Sequence, residues 1–432
     1  MSESQGVVRR TFAALENRNF RRYFAGQAVS LAGTWMQSVA QGWLVLTLTG
    51  SGAALGLVVA LQTLPVLLLG PYAGVLIDRS NKRRLIIGVQ VVMAVLALAL
   101  GLLTVTGAVQ LWHVFALAGL LGMATTFDNP ARQAFVLEMV GAADLRNAVT
   151  LNSVLVNAAR AVGPAVAGVL IATVGTGICF LVNAASYAAA LVALAGMNVQ
   201  ALQPSPPSSR EPGQLREGLR YVRRTPALAV PLAMMALIGM LAYEFQVVLP
   251  VVARTTFHGG AQAYGVLTAA MGAGAVVGGL VVAGRGRTGL RPLVLAAAQF
   301  GLVVLLAALA PTLHWELAAL ALVGAASVQF LSVGNATLQL SADPQMRGRI
   351  MALWAVAFLG STPIGGPIAG AVADGLGGRA ALAMGGAACL VAAAGGGLML
   401  RRVARPSAAA TPLVAASDQV PLQEPVAAPR AA

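Results

Sequence analysis

Two residues that could carry charge stand inside long apolar runs. Arg160 lies in the run 149–173, about eleven residues, or roughly 16 Å of helix, from its inner end. Glu244 lies about as deep in the run 227–252. Each costs about 2.5–3.5 kcal/mol at a bilayer centre unless it is paired or wet, which makes both functional candidates. They could meet, or both could line a central cavity; a buried Arg–Glu tie with no transport role is the alternative. A protonatable Glu244 would supply proton coupling, since one charge moving through about 100 mV yields about 2.3 kcal/mol. Asp128, Asp374 and Glu316 fall near the ends of their runs, which leaves Glu244 as the only acid near mid-span. Gln37 and Gln41 in the run 23–48, Asn157 in 149–173 and Gln329 in 316–340 are polar without charge. They could line a substrate cavity, although several such residues would serve as interhelical glue. No Walker motif, paired catalytic acids or metal-ligand cluster is present, so no catalytic residue, metal or cofactor is expected and an enzyme is disfavoured.

The elements that must position these residues are membrane helices. Of 432 residues 58% are hydrophobic and 10% charged, where soluble chains carry about 25% charged residues. Twelve runs are long enough to span: 23–48, 53–77, 85–106, 111–133, 149–173, 177–197, 227–252, 263–284, 291–310, 316–340, 350–373 and 379–400. They lack the alternation of barrel strands, so helices are expected. Residues 1–22 are polar and basic, and the run that follows is too long for the apolar core of a cleaved signal.

Charge orients the helices. With the N-terminus inside, 25 of the 28 Lys and Arg residues fall on cytoplasmic segments; Arg254 and Arg379 fall outside and Arg160 within a span. The expected product is a multi-pass protein of the cell (inner) membrane with both termini cytoplasmic and the lipid bilayer as its medium. The net charge of +14 is then a topology signal, and nucleic acid is not an expected partner. Five units follow: a cytoplasmic N-terminal segment 1–22, a six-helix bundle 23–197, a cytoplasmic linker 198–226, a second bundle 227–400 and a disordered tail 401–432. In the linker, Leu215, Leu219 and Val222 recur at helical spacing among arginines, as in a basic amphipathic helix on the inner membrane surface; a solvated linker is the alternative. At an offset of 203 residues Phe127, Arg146, Gly163 and Pro164 match Phe330, Arg349, Gly366 and Pro367. The fold class expected is therefore all-α integral membrane, with twelve transmembrane helices in two pseudo-symmetric six-helix halves.

Between spans two and three runs GVLIDRSNKRR. Gly74, Leu76, Asp78, Arg79, Lys82 and Arg83 resemble the loop signature of the major facilitator superfamily, with Asn81 in place of its second glycine. The runs GQAVSLAGTWMQSVAQGWLVLTLTGSGAALG and DNPARQA resemble the branch that holds the enterobactin exporter and macrolide and drug efflux proteins. The resemblance covers all twelve spans. It implies that Asp78 faces the N-terminus of span eleven near Gly348, and that Lys82 or Arg83 reaches Asp128, bonds that would cross between the halves and latch the cytoplasmic side shut. Asn tolerates positive φ, so the turn at Asn81 is expected to survive. In span five ARAVGPAVAG, with Gly163, Pro164 and Gly168, resembles the Gly-Pro motif of family exporters, and Gly366 with Pro367 repeats it in span eleven; small residues serving only helix packing are the alternative.

The expected function is secondary active transport by alternating access. Proton-coupled export of an amphipathic small molecule, such as a drug, macrolide or siderophore, comes first. An uptake symporter of the same fold is the alternative, and a membrane-embedded enzyme or lipid-handling protein a weaker one. The partners expected are a small-molecule substrate and protons, with the chain acting as a monomer.

Overall fold

The computed structural model describes residues 12–203, 214–285, 288–343 and 345–404. The Pro/Ser stretch 204–209 and the tail from 405 onward lie outside the described residues, as do Arg9, Arg10, Arg210, Arg287, Arg405 and Arg430.

Among the described residues the regular elements are helical. The first half holds α1 (Arg18–Thr49), α2 (Gly52–Arg79), α3 (Lys82–Val105), α4 (Leu111–Val174) and α5 (Thr176–Ala195). The linker carries α6 (Gln214–Arg224). The second half holds α7 (Pro226–Ala242), α8 (Phe245–Val251), α9 (Ala261–Arg285), α10 (Leu290–Ala308), α11 (Leu313–Ser341), α12 (Arg347–Leu359), α13 (Thr362–Leu376) and α14 (Gly378–Ala404).

Ten helical segments among the described residues are long and apolar enough to cross a membrane. One of them, α4, is 64 residues long, about three times what one crossing needs. Gly141, at φ 71° and ψ 179°, breaks its helical path. A side chain there would be strained, so glycine is the residue that permits the reversal. α1 is not among the ten. Gln27, Gln37 and Gln41 lower its hydropathy, and all three are buried against its neighbours.

Helix ends differ from the expected spans where caps or apolar partners extend them. α1 begins at Arg18 instead of 23, because the Asn17 side chain accepts hydrogen bonds from Asn19 N and Phe20 N at 2.9 and 3.1 Å. Phe20 and Tyr23 are fully or nearly buried, and Tyr23 packs edge-on to Phe135 at 6.3 Å. α14 runs to Ala404, so residues 401–404 are helical rather than tail. Span seven is broken: α7 stops at Ala242, Tyr243 and Glu244 leave helical geometry, α8 follows, and a π turn covers Val252–Thr256. Span eleven is likewise divided between α12 and α13 at Gly360 and Ser361.

The halves pack alike. α1 and α3 lie on α5, and α2 on α4; α7 and α10 lie on α14, and α9 on α11. They meet along two reciprocal seams, α2 with α13 and α4 with α9. The end of the bundle that holds Arg18 and Ala404 is termed the near end, and the opposite one the far end. A Cβ on Gly52 would stand 3.0 Å from Gly370 O; one on Gly56 would collide with the Gly366 carbonyl; one on Gly168 would stand 3.2 Å from Gln262 Cα. These contacts occupy the far half of both seams. Toward the near end the seams part: Gly278 abuts Ala325 of its own half, while Gly70 and Gly348 face open space.

Candidate functional site

At the near end the loop signature works differently from the expectation. Asn81 needs no positive φ; at φ −69° its side chain caps α3 by accepting from Arg84 N at 3.0 Å. Lys82 Nζ pairs with Glu138 at 2.7 Å, both side chains about nine-tenths buried. Arg83 donates to Leu194 O at 2.8 Å and Ala195 O at 3.1 Å, carbonyls at the C-terminus of α5 where a cation is favoured. Asp128 is instead held by Arg132 at 2.8 Å and by Gln90 Nε2 at 3.1 Å, and Arg132 also donates to Gln27 at 2.6 Å. The expected Lys82 or Arg83 pairing with Asp128 is therefore corrected to Glu138 and the α5 carbonyls. The apolar run of span four ends at 133, but its helix continues to Val140. The ten residues from Asp128 to Glu138 are roughly 15 Å of rise. That extension brings Glu138, not Asp128, level with Lys82. The bonds made by Lys82 and Arg83 stay within the first half instead of crossing between the halves as expected. Gly74 and Asp78 lie half-buried on the last turns of α2, and Arg79 is exposed.

The linker helix reaches the second half. Glu217 pairs with Arg349 at the start of α12 at 2.6 Å, and Tyr221 donates its hydroxyl to Asp343 at 2.9 Å.

Mid-membrane, Glu244 occupies the break between α7 and α8 with 3% of its surface exposed. Its Oε1 stands 2.8 Å from where a Cβ of Gly365 would lie and has no hydrogen-bond partner among the described residues. The Thr362 hydroxyl, in the first turn of α13, is its hydrogen-bonding neighbour. The carboxylate therefore stands beside the first turn of α13 and the backbone of Gly365 and Gly366. A cavity of about 10 Å³, lined by Leu241, Ala242, Glu244 and Phe245 among others, has room for one water at most.

Arg160 does not pair with Glu244. Its guanidinium lies 4.9 Å from the Trp35 ring centroid, a cation–π contact, and its Nε has no partner among the described residues. Tyr243, at the span-seven break, donates to Ser327 O at 2.9 Å. Gly163 brings α4 against α1, where Ala32 O and the Trp35 Cβ each lie 2.7 Å from the position a Cβ of Gly163 would take. Pro164 O lies 2.6 Å from the Cβ position of Gly265. Pro164 removes the helical donor for Arg160 O, and that carbonyl lies 2.8 Å from the Cβ position of Gly272 in the other half. The backbone stays helical through Pro164, so the motif serves close approach. Gly366 and Pro367 do the same for α13 against Gly56.

The softer candidates divide. Gln37 accepts from Asn183 at 2.6 Å and Gln41 from Gln62 at 3.1 Å, so both are used to hold first-half helices together. Asn157 is half-buried and donates to Ser153 O of its own helix, and Gln329 is half-buried on α11.

With this geometry in place, comparison with known proteins decides the family. A family profile described as transmembrane secretion effector, of major facilitator type, matches residues 9–428. The chain belongs to that family. This major facilitator protein is 24% identical over 369 residues to macrolide efflux protein A of Streptococcus pyogenes, covering 83% of this chain and 90% of that one. It is 24% identical over 261 residues to the staphyloferrin A transporter of Staphylococcus aureus, covering 60% of this chain and 66%, just under two thirds, of that one. The crystal structure of the nucleoside transporter NupG superposes with a TM-score of 0.72 at 11% identity, over 89% of this chain and 99% of that one, which shows the fold. The family member is thus a multi-pass membrane transporter and not an enzyme.

Sequence reasoning missed Glu138, Thr362 and Tyr243. The i, i+10 relation of Asp128 and Glu138 on a helix that continues past 133 was the available signal for the first.

Proposed function

We propose that this transporter exports an amphipathic small molecule of the macrolide, siderophore or drug kind by proton-coupled alternating access. Twelve crossings follow if α1 spans and α4 crosses twice about Gly141. The basic residues then put the near end and both termini in the cytoplasm. In that frame the outside is shut and the cytoplasmic side is parted. The observation that carries the reading is Glu244, a carboxylate without a counter-ion among the described residues, at the crossing of two broken helices, an arrangement transporters of this architecture use for substrate and ion sites. Ionised and dry, the group would cost several kcal/mol. A proton taken from outside would release substrate, and its loss toward the cytoplasm would restore affinity. The name macrolide efflux protein A supports export, and the names of the two relatives support the substrate class.

Everted membrane vesicles test this. Acidifying their lumen should drive accumulation of a macrolide or ferric-siderophore ligand inside them, and loss of solute from the lumen would make the protein an importer. Asp78 is proposed as the near-side latch on the N-terminus of α12 in the opposite state. Asp78→Asn should enrich the inward-open state and slow efflux about tenfold without affecting insertion. Spin-label distances between the near ends of α2 and α12 check it, and an unchanged distribution with normal efflux would leave the loop a topology signal.

A further inference from the structure

The far end carries a charge arrangement that the loop signature does not account for. Asp374, exposed in the last turn of α13, accepts from Ser51 Oγ at 2.7 Å, Gly52 N at 2.5 Å and Ala53 N at 2.9 Å. Those donors are the N-cap and first residues of α2, in the other half. The start of a helix leaves N–H groups without intrahelical partners and favours an anion. On the opposite side of the same α1–α2 hairpin, Arg254 of the π turn after α8 donates to Leu46 O at 2.5 Å. Leu46 O belongs to the last turn of α1, where a cation is favoured for the converse reason. Gly50, at φ 68°, turns the chain between the two grips. Arg379 is engaged elsewhere, with Ala310 O at 2.5 Å.

Both charges come from the second half, and both targets are helix ends of the first. Unlike the Lys82 and Arg83 bonds, these exist only while the halves touch at the far end. They also mirror the role proposed for Asp78. In that proposed role α2 would present its near, C-terminal aspartate to the N-terminus of α12, whereas here its far N-terminus receives an aspartate from α13. α2 and the divided span eleven would thus carry a charge–dipole contact at each end, one in each state.

We infer that Asp374 and Arg254 form a far-side latch that holds the outer gate shut while the cytoplasmic side is open, and that its release is a required step of export. The inference rests on the alternating-access reading but not on direction, substrate or proton coupling.

The test uses the full chain in lipid nanodiscs with spin labels on Ala108→Cys and Thr312→Cys, both exposed at the far end in different halves; Cys179 and Cys389 are buried. Double electron–electron resonance without substrate or gradient reads the far-side distance. Asp374→Asn should raise the ratio of far-open to far-closed protein about five- to tenfold, and Arg254→Gln about two- to threefold. Identical distributions in both variants would overturn the latch. If the Asn variant does not insert, Ser51→Ala, which removes one of the three bonds to Asp374, should still shift the ratio about twofold, and no shift there overturns it equally. A shifted distribution with no efflux of any tested solute would leave the latch standing and count against the export reading alone.

Discussion

Glu244→Gln should abolish uphill, pH-driven transport while downhill exchange of the same solute remains measurable. The substitution keeps the shape beside Thr362 and Gly365 and removes only the proton site. One proton crossing about 100 mV supplies about 2.3 kcal/mol, enough for a roughly 50-fold solute gradient. Steady-state accumulation should therefore fall by about that factor, to equality across the membrane. Arg160→Ala should also impair transport, by loosening Trp35 at the α1–α4 contact, but it strands no carboxylate because the two groups do not pair. A Glu244/Arg160 double-mutant cycle on protein stability should then close to within about 0.5 kcal/mol. Proton-driven accumulation that survives in Glu244→Gln would move coupling to Asp128, held by Arg132 and Gln90, or to exchange of solutes.

The second large effect is on stability. Lys82→Met leaves Glu138 buried without its partner, and Glu138→Leu does the same to Lys82; removing one member of a buried pair costs about 3–5 kcal/mol. The Lys82→Met/Glu138→Leu double variant, with apolar groups on both sides, should recover most of that loss, because the pair's mutual attraction offsets little more than its desolvation. Thermal unfolding of detergent-solubilised protein measures all three. The same cycle with Asp128→Asn in place of Glu138→Leu should show no coupling to Lys82. Coupling of Lys82 to Asp128 but not to Glu138 would contradict the observed pairing.

Apolar runs of adequate length, a one-sided distribution of arginines, the offset between halves and the loop and Gly-Pro motifs are properties of residues taken in order. They determined the membrane class, the two-half architecture and the family before any contact was known. Glu244 and Arg160 stood out for the same reason, since a charge in an apolar run needs no partner to be noticed. Partners were another matter. The Lys82–Glu138 pair depends on a helix continuing about 10 Å past the membrane run, as far as Gly141, and hydropathy does not register where a helix ends beyond lipid. The break at Tyr243 and Glu244 has no glycine or proline at the break itself, so local propensity does not mark it; it belongs to the packing of Tyr243 among Phe245, Phe300 and Phe358 and of Glu244 against Gly365. Asp374 and Ser51 are more than three hundred residues apart, and only the closing of one end of the bundle brings them together. Side-chain pairing between helices depends on rotation about each axis, axial offset and the angle between halves, and none of these is encoded in the composition of a single segment; all three are decided when the helix faces must pack at once.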